Sequence, residues 1–266
     1  MRGSIVCHTR RMARVMAVAN QKGGVAKTTT VHSLGAALVE RGRRVLAVDL
    51  DPQASLTWAA GIDPEKIELS LHDVMLRRAK AADVLVKVGD LHVLPSTIDL
   101  AGAELHLLTK TGREYVLRRA LEPIRDDYDL VLLDCPPSLG ILTINGLTAA
   151  TEVLIPLQCE TLSQRGVGQL LETIDDVRAY TNPELVIRGV VATMFDGRNN
   201  LSHQVVEQVR EQYDLEVLEP AVPKSVKVAE APGRGMSVLE HAPRSKSAEA
   251  YRALAKVLDG RKRGRK

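Results

Sequence analysis

Aromatic side chains are scarce in this chain: one Trp, one Phe and five Tyr make up 3% of its 266 residues. That scarcity argues against an aromatic platform of the kind on which single-strand binders stack successive bases. Cysteine is scarce too. Cys7, Cys135 and Cys159 have no C-x-x-C spacing, which argues against a zinc site or a disulfide framework and suits a reducing compartment. No apolar run approaches the length needed to span a bilayer, and the N-terminus has no signal-peptide apolar core. The expectation is a cytoplasmic protein. Net charge is only +3, so the total says little about a polyanionic partner. Its distribution is less even, with Arg10, Arg11 and Arg14 near one end and Arg261-Lys262-Arg263 and Arg265-Lys266 at the other. Tails of this kind are most often simply solvated.

What the sequence does contain is concentrated in Asn20–Thr30, NQKGGVAKTTT. An apolar run, Val15 to Ala19, precedes it, and apolar residues at helical spacing (Val31, Leu34, Leu38, Val39) follow. Strand, glycine-containing turn, and helix opening on Lys-Thr is the context of a phosphate-binding loop. Gly23 and Gly24 let a phosphate approach backbone N–H groups, and a helix beginning near Lys27 offers unpaired N–H groups and the positive end of its dipole. Lys27 adds a point charge for the β- and γ-phosphates of a nucleotide, and Thr28 a hydroxyl for Mg²⁺. The usual pattern G-x-x-x-x-G-K-[ST] fails at Gln21 and Ala26. The variant K-G-G-x-x-K-[ST], led by Lys22, matches.

Further along, Arg44–Asp49 reads as a buried parallel strand ending in an acid, with Asp51-Pro52-Gln53 leaving it and a short helix over Ala54–Ala60. Leu130–Leu133 is a second buried strand; it delivers Asp134, and Pro136-Pro137 stops the ladder. Other strands are expected at Leu91–Pro95, Glu152–Leu157, Val186–Thr193 and near Val217. Helices are expected near 99–110, 114–125, 139–149, 162–180, 201–213, 225–231 and 246–258, with only a weak helical period around Leu71–Met75 in the stretch 61–82. The alternation predicts one α/β domain over 14–259, a mostly parallel sheet with helices on both faces. Residues 1–13 read as a disordered extension and 260–266 as a basic tail. Ligands of such sheets lie outside the carboxyl ends of the strands, where Asp49, Asp51 and Asp134 fall. Asp134 has the position of an acid that holds Mg²⁺, and Asp51 is placed to orient a water for attack.

Five segments, NQKGGVAKTTT at 20–30, VDLDPQAS at 48–55, DLVLLDCPPSLG at 129–140, TMFDGRNNLS at 193–202 and VPKSVKVAEAPGRGMSV at 222–238, are together similar to the ParA/MinD group of deviant P-loop ATPases, and most of all to small chromosomal ParA (Soj-like) proteins. The resemblance implies ATP and Mg²⁺ as cofactors, with Lys22, Gly23, Gly24, Val25, Ala26, Lys27, Thr28 and Thr29 forming the nucleotide loop. It implies that Thr29 contacts the α-phosphate, and that Lys22 reaches the nucleotide of the other subunit in an ATP-sandwich homodimer. It gives Asp51 the water-positioning role, has Asp49 and Asp134 support the metal beside Thr28, and packs Met194 and Pro223 on adenine. Slow turnover, a ParB-like stimulating partner and non-specific binding to double-stranded DNA of the nucleoid follow from the same resemblance. Arg198, Lys224, Lys227 and Arg234 are the candidates for the DNA surface. Because affinity follows the number of phosphates neutralised, pairing two subunits doubles those contacts.

The alternatives are a ParA-like ATPase that positions another cargo and a membrane-cycling ATPase of the MinD type. The latter needs a C-terminal amphipathic helix with a bulky apolar foot. Tyr251, Leu254, Val257 and Leu258 read instead as core packing, so no stable membrane association is expected.

Overall fold

The computed structural model describes residues 13–159 and 163–260. Nearly all of the expected extension and tail therefore lies outside the described residues, although Ala13, the first of them, is already buried. Among the described residues eight strands form one sheet: β1 Arg14–Val18, β2 Val45–Asp49, β3 Val86–Val88, β4 Leu91–Leu94, β5 Leu130–Asp134, β6 Glu152–Gln158, β7 Val186–Thr193 and β8 Val217–Leu218. Their order is β3-β4-β2-β5-β1-β6-β7-β8, parallel throughout except for the edge hairpin β3–β4.

Side chains alternate between two cores, one on each face. Val15 and Ala17 of β1, Leu46 and Val48 of β2, and Val131 and Leu133 of β5 enter one core. Met16 and Val18, Val45 and Ala47, and Leu130 and Leu132 enter the other. Burial on both faces is why these strands read as unbroken apolar runs. Helix Lys27–Glu40 covers the second core, and helix Lys246–Gly260 packs on it, with Tyr251, Leu254 and Leu258 buried. Three of the four apolar residues expected to pack from the last helix are therefore spent inside the protein, while Val257 is only half-buried. No helix among the described residues is long and apolar enough to cross a membrane.

Several elements differ from the sequence-based expectation. Edge strand β3 was not foreseen; three residues, Val-Lys-Val, only half-buried around an exposed Lys, leave no periodic signal. The helix expected at 99–110 is helical only over Leu100–Leu107. The one expected at 114–125 opens as a 3-10 turn at Arg113–Tyr115 and then runs over Val116–Arg125 through Pro123. The weak period near Leu71 is a real helix, Leu71–Met75, fixed by a capping box between Ser70 and Asp73. A four-residue helix, Val238–His241, with a second capping box at Ser237 and Glu240, also escaped the sequence.

Candidate nucleotide site

β1 lies in the middle of the sheet, beside β5 and one strand from β2, so its exit loop opens next to the ends that carry Asp134 and Asp49. The loop is pinned from several sides. Asn20, buried, donates its side-chain amide to the Pro156 carbonyl (2.7 Å) and accepts from the Lys22 N–H (3.0 Å). Thr193 at the end of β7 donates its hydroxyl to the Val25 carbonyl (3.1 Å). Gly166 lets helix Ser163–Tyr180 approach closely, since a Cβ there would sit 3.1 Å from Asn20 Oδ1.

The helix start is bare. Ala26 is its N-cap, left-handed with φ 66° and without a side-chain cap, so the first N–H groups stay available to an anion. A Cβ built on Gly23 or Gly24 would meet nothing within 4 Å, which leaves the loop's outer side open. Lys27 is buried, and its ammonium donates to the Lys22 carbonyl (3.1 Å). Burial pulls its pKa below the ordinary lysine value, opposed in part by the charges of Asp134, Cys135 and Asp51.

Thr28 Oγ1 donates to Asp134 Oδ2 (2.7 Å), while Asp134 Oδ1, buried, has no hydrogen-bond partner. Burial and the neighbouring charge of Asp49 push the Asp134 carboxyl well above its usual range. Asp49 is buried beside it but engaged at both oxygens. Oδ2 accepts from Thr57 N and Thr57 Oγ1 (2.8 Å each), and Oδ1 accepts from Asp51 N (3.2 Å). Burial lifts the Asp49 pKa to about 6 against the pull of those bonds. Asp51 is half-buried, and its Oδ1 accepts from Gln53 N (2.9 Å).

A cleft of about 640 Å³ opens over part of this set, while Lys22, Val25, Asp49 and Asp134 do not line it, the two carboxylates lying buried behind its wall. Gly23, Gly24, Ala26, Lys27, Thr28, Thr29 and Asp51 form its phosphate end, and Met194 and Pro223 lie on its wall. Phe195 pairs with Pro223, and Lys224 N donates to the Phe195 carbonyl (3.2 Å), so the turn carrying exposed Arg198 runs beside Lys224. Lys227, exposed, pairs with Glu230 (2.9 Å), and Arg234, also exposed, lies further on, next to Gly235 where that segment crosses Gly61. Reasoning from sequence missed Asn20, Thr57, Trp58 and Tyr251. Trp58 lines the cleft while 56% exposed; as the chain's single Trp, close behind Asp51, it was the one with a visible signal.

Among the described residues no cluster of three His, Cys, Asp or Glu could hold a metal by itself. The thiols of Cys135 and Cys159 are buried and pushed upward by desolvation, a poor setting for thiolate ligands. A hydroxyl, one carboxylate oxygen without a partner and an open phosphate cradle fit a cation that completes its shell with phosphate oxygens and water.

Fold and loop together define a P-loop nucleoside triphosphatase of the variant type that carries a lysine ahead of its glycines. A family model described as an AAA domain matches residues 13–187. The sporulation initiation inhibitor protein Soj of Bacillus subtilis is 44% identical over 249 residues, covering 93% of this chain and 98% of that protein. The chromosome partitioning protein ParA of Caulobacter vibrioides is 45% identical over 256 residues, covering 95% and 96%. A crystal structure from Mycobacterium smegmatis, described as cobyrinic acid a,c-diamide synthase with bound ADP and magnesium, is 51% identical with a TM-score of 0.84, covering 93% of this chain and 94% of that one. The chain belongs to the ParA/Soj family of P-loop ATPases.

Proposed function

We propose that this protein is an ATP- and Mg²⁺-dependent partitioning switch: an ATPase whose ATP-bound homodimer holds DNA without sequence preference and lets go on hydrolysis. The observation that carries the reading is the Thr28–Asp134 pair with its unpartnered Oδ1, set under the Lys22–Lys27 loop. Bound Mg²⁺ would neutralise charge on the β- and γ-phosphates.

The chain's own residues do the rest. Lys27 exchanges its bond to the Lys22 carbonyl for phosphate oxygens, and the bare helix start receives the phosphates. Thr28 and Asp134 hold the metal's protein side. Asp49, saturated by Thr57 and Asp51, acts by orienting its neighbours rather than as a free ligand. Thr29 faces the α-phosphate, and Met194 and Pro223 flank the base. Asp51, anchored through its N–H to Asp49, orients the attacking water. Lys22 completes charge stabilisation across the dimer, so turnover is slow until two subunits meet. Hydrolysis removes the γ-phosphate that both halves share, and the dimer loosens.

Arg198, Lys224, Lys227 and Arg234 supply the phosphate contacts to DNA, and a ParB-like protein accelerates release, as in chromosome or plasmid segregation on the nucleoid. The names of the Soj and ParA relatives support this reading. Retention on duplex DNA tests it: the ATP form with the hydrolytic Asp51 replaced should stay bound and fall away steeply with salt, whereas equal retention of the ADP form would overturn it.

The Mycobacterium smegmatis neighbour's name favours a second reading, ATP-dependent amidation of a carboxylate in the same cleft. ADP release accelerated by cobyrinic acid with an ammonia source, and indifferent to DNA, would select it.

A further inference from the structure

We infer that Thr57 is a positioning residue for hydrolysis, the part that sets Asp51 by fixing Asp49. The inference rests on the ATPase reading of the site and adds a residue outside the nucleotide loop.

Thr57 is fully buried in the short helix Ser55–Ala59. Its N–H and its hydroxyl both donate to the same oxygen of Asp49, at 2.8 Å each. That hydroxyl in turn accepts from the N–H of Ser96, just past the end of β4 (2.9 Å). The other Asp49 oxygen accepts from Asp51 N (3.2 Å), and the Asp51 carboxylate accepts from Gln53 N (2.9 Å). One continuous relay therefore runs from the end of β4 through Thr57 and Asp49 to the turn that aims Asp51.

The relay has a second consequence. Asp49 and Asp134 are register partners on β2 and β5. With both of its oxygens turned toward Thr57 and Asp51, Asp49 is held away from the unpartnered Asp134 oxygen, so one carboxylate, not two, faces the cation position beside Thr28. Without the Thr57 hydroxyl, Asp49 loses one of three donors, Ser96 N–H loses its acceptor inside the core, and the Asp51 turn is free to shift. Displacements of about 1 Å at such a residue cost on the order of 100-fold in rate. Thr57 is not among the residues that line the cleft, so nucleotide binding should be spared.

The test compares Thr57→Val, which replaces the hydroxyl by a methyl at constant shape, with Thr57→Ser, which keeps it. The valine form should lose about 10- to 100-fold in kcat with KM for ATP within about twofold, and the serine form should keep wild-type kcat. A valine form with wild-type kcat overturns the inference. So does a folded serine form whose kcat falls about 10-fold or more below wild type, and that arm stands even if the valine form fails to fold. Asp51→Ala, measured alongside, separates the two levels: if it too hydrolyses ATP normally, the role of Asp51 falls, whereas a dead Asp51→Ala beside a fully active Thr57→Val removes only Thr57.

Discussion

Asp49 and Asp134 stand opposite each other in register on β2 and β5, both buried, yet three donors serve Asp49 while Asp134 has only the Thr28 hydroxyl and one oxygen left over. Two buried carboxylates on adjoining strands cannot both be charged without cost unless a cation at the free Asp134 oxygen offsets the repulsion.

That cost fixes a pH dependence. Both carboxyls have folded pKa values above those of an unfolded chain, chiefly through desolvation. The folded apo protein therefore binds more protons than the unfolded one, and this contribution to stability is present below about pH 4 and is lost as pH rises through about 6 and beyond. Asp134→Asn removes one of the two charges. Its apo form should melt higher than wild type at pH 7, by about 2–4 °C for each kcal/mol relieved, with the difference shrinking toward pH 4. Magnesium with nucleotide should raise the wild-type midpoint and leave the Asn form largely unmoved. Thermal melts across that pH range decide it; an Asn form less stable than wild type at pH 7 would refute the account.

Much of this site was legible in the sequence because its parts are local. Lys22 to Thr29 are contiguous, and Asp49 and Asp134 each end a run of apolar residues, so strand polarity alone put them at one edge. Thr57 and Asn20 were invisible for the opposite reason. Their roles depend on Ser96 and Pro156, which lie 39 and 136 residues away in the chain, and a buried Thr bonded to a carboxylate looks in sequence like any other Thr. The fold followed the same division. Strands buried on both faces announce themselves, while Val86–Val88, short and half-exposed, is placed by pairing with β4 and not by its own pattern.

Substitutions in the loop should separate three steps. Lys27→Ala removes the buried ammonium proposed to bind phosphate, where a charge-assisted contact is worth roughly 1.5–3 kcal/mol, so nucleotide affinity should fall by about 100-fold. Lys22→Ala should keep nucleotide but lose the ATP dimer, and Asp51→Ala should trap the dimer. Equilibrium dialysis reports the first and light scattering with ATP the other two; a Lys22→Ala protein that still dimerises on ATP would remove the in-trans role.

The basic rim predicts a separate phenotype. Arg198 and Lys227 are both exposed, and Lys227 pairs with half-buried Glu230 (2.9 Å). On the proposed DNA-binding reading, replacing both by Ala would remove two phosphate contacts per subunit, four per dimer. The slope of log K against log salt should fall by up to about 4, with ATP-driven dimerisation intact. Loss of dimerisation together with DNA retention would mean these residues serve the nucleotide site after all.

Ala26 stands where the usual loop pattern has its second glycine, and its backbone is left-handed at φ 66°. An L-residue pays about 1–2 kcal/mol for that conformation, and glycine gives part of it back through its greater freedom when unfolded. Ala26→Gly should therefore stabilise the folded protein by about 0.5–1 kcal/mol, seen as a midpoint raised by about 1–4 °C. Gly24, also left-handed at φ 74° with open space where a Cβ would stand, is the control: Gly24→Ala meets no neighbour, so any loss of stability there is backbone strain alone. The two substitutions should move the midpoint by similar amounts in opposite directions. If Ala26→Gly is destabilising, the alanine methyl is contributing packing that outweighs its strain. In that case this chain gains from the residue that sets its loop apart from the usual glycine form.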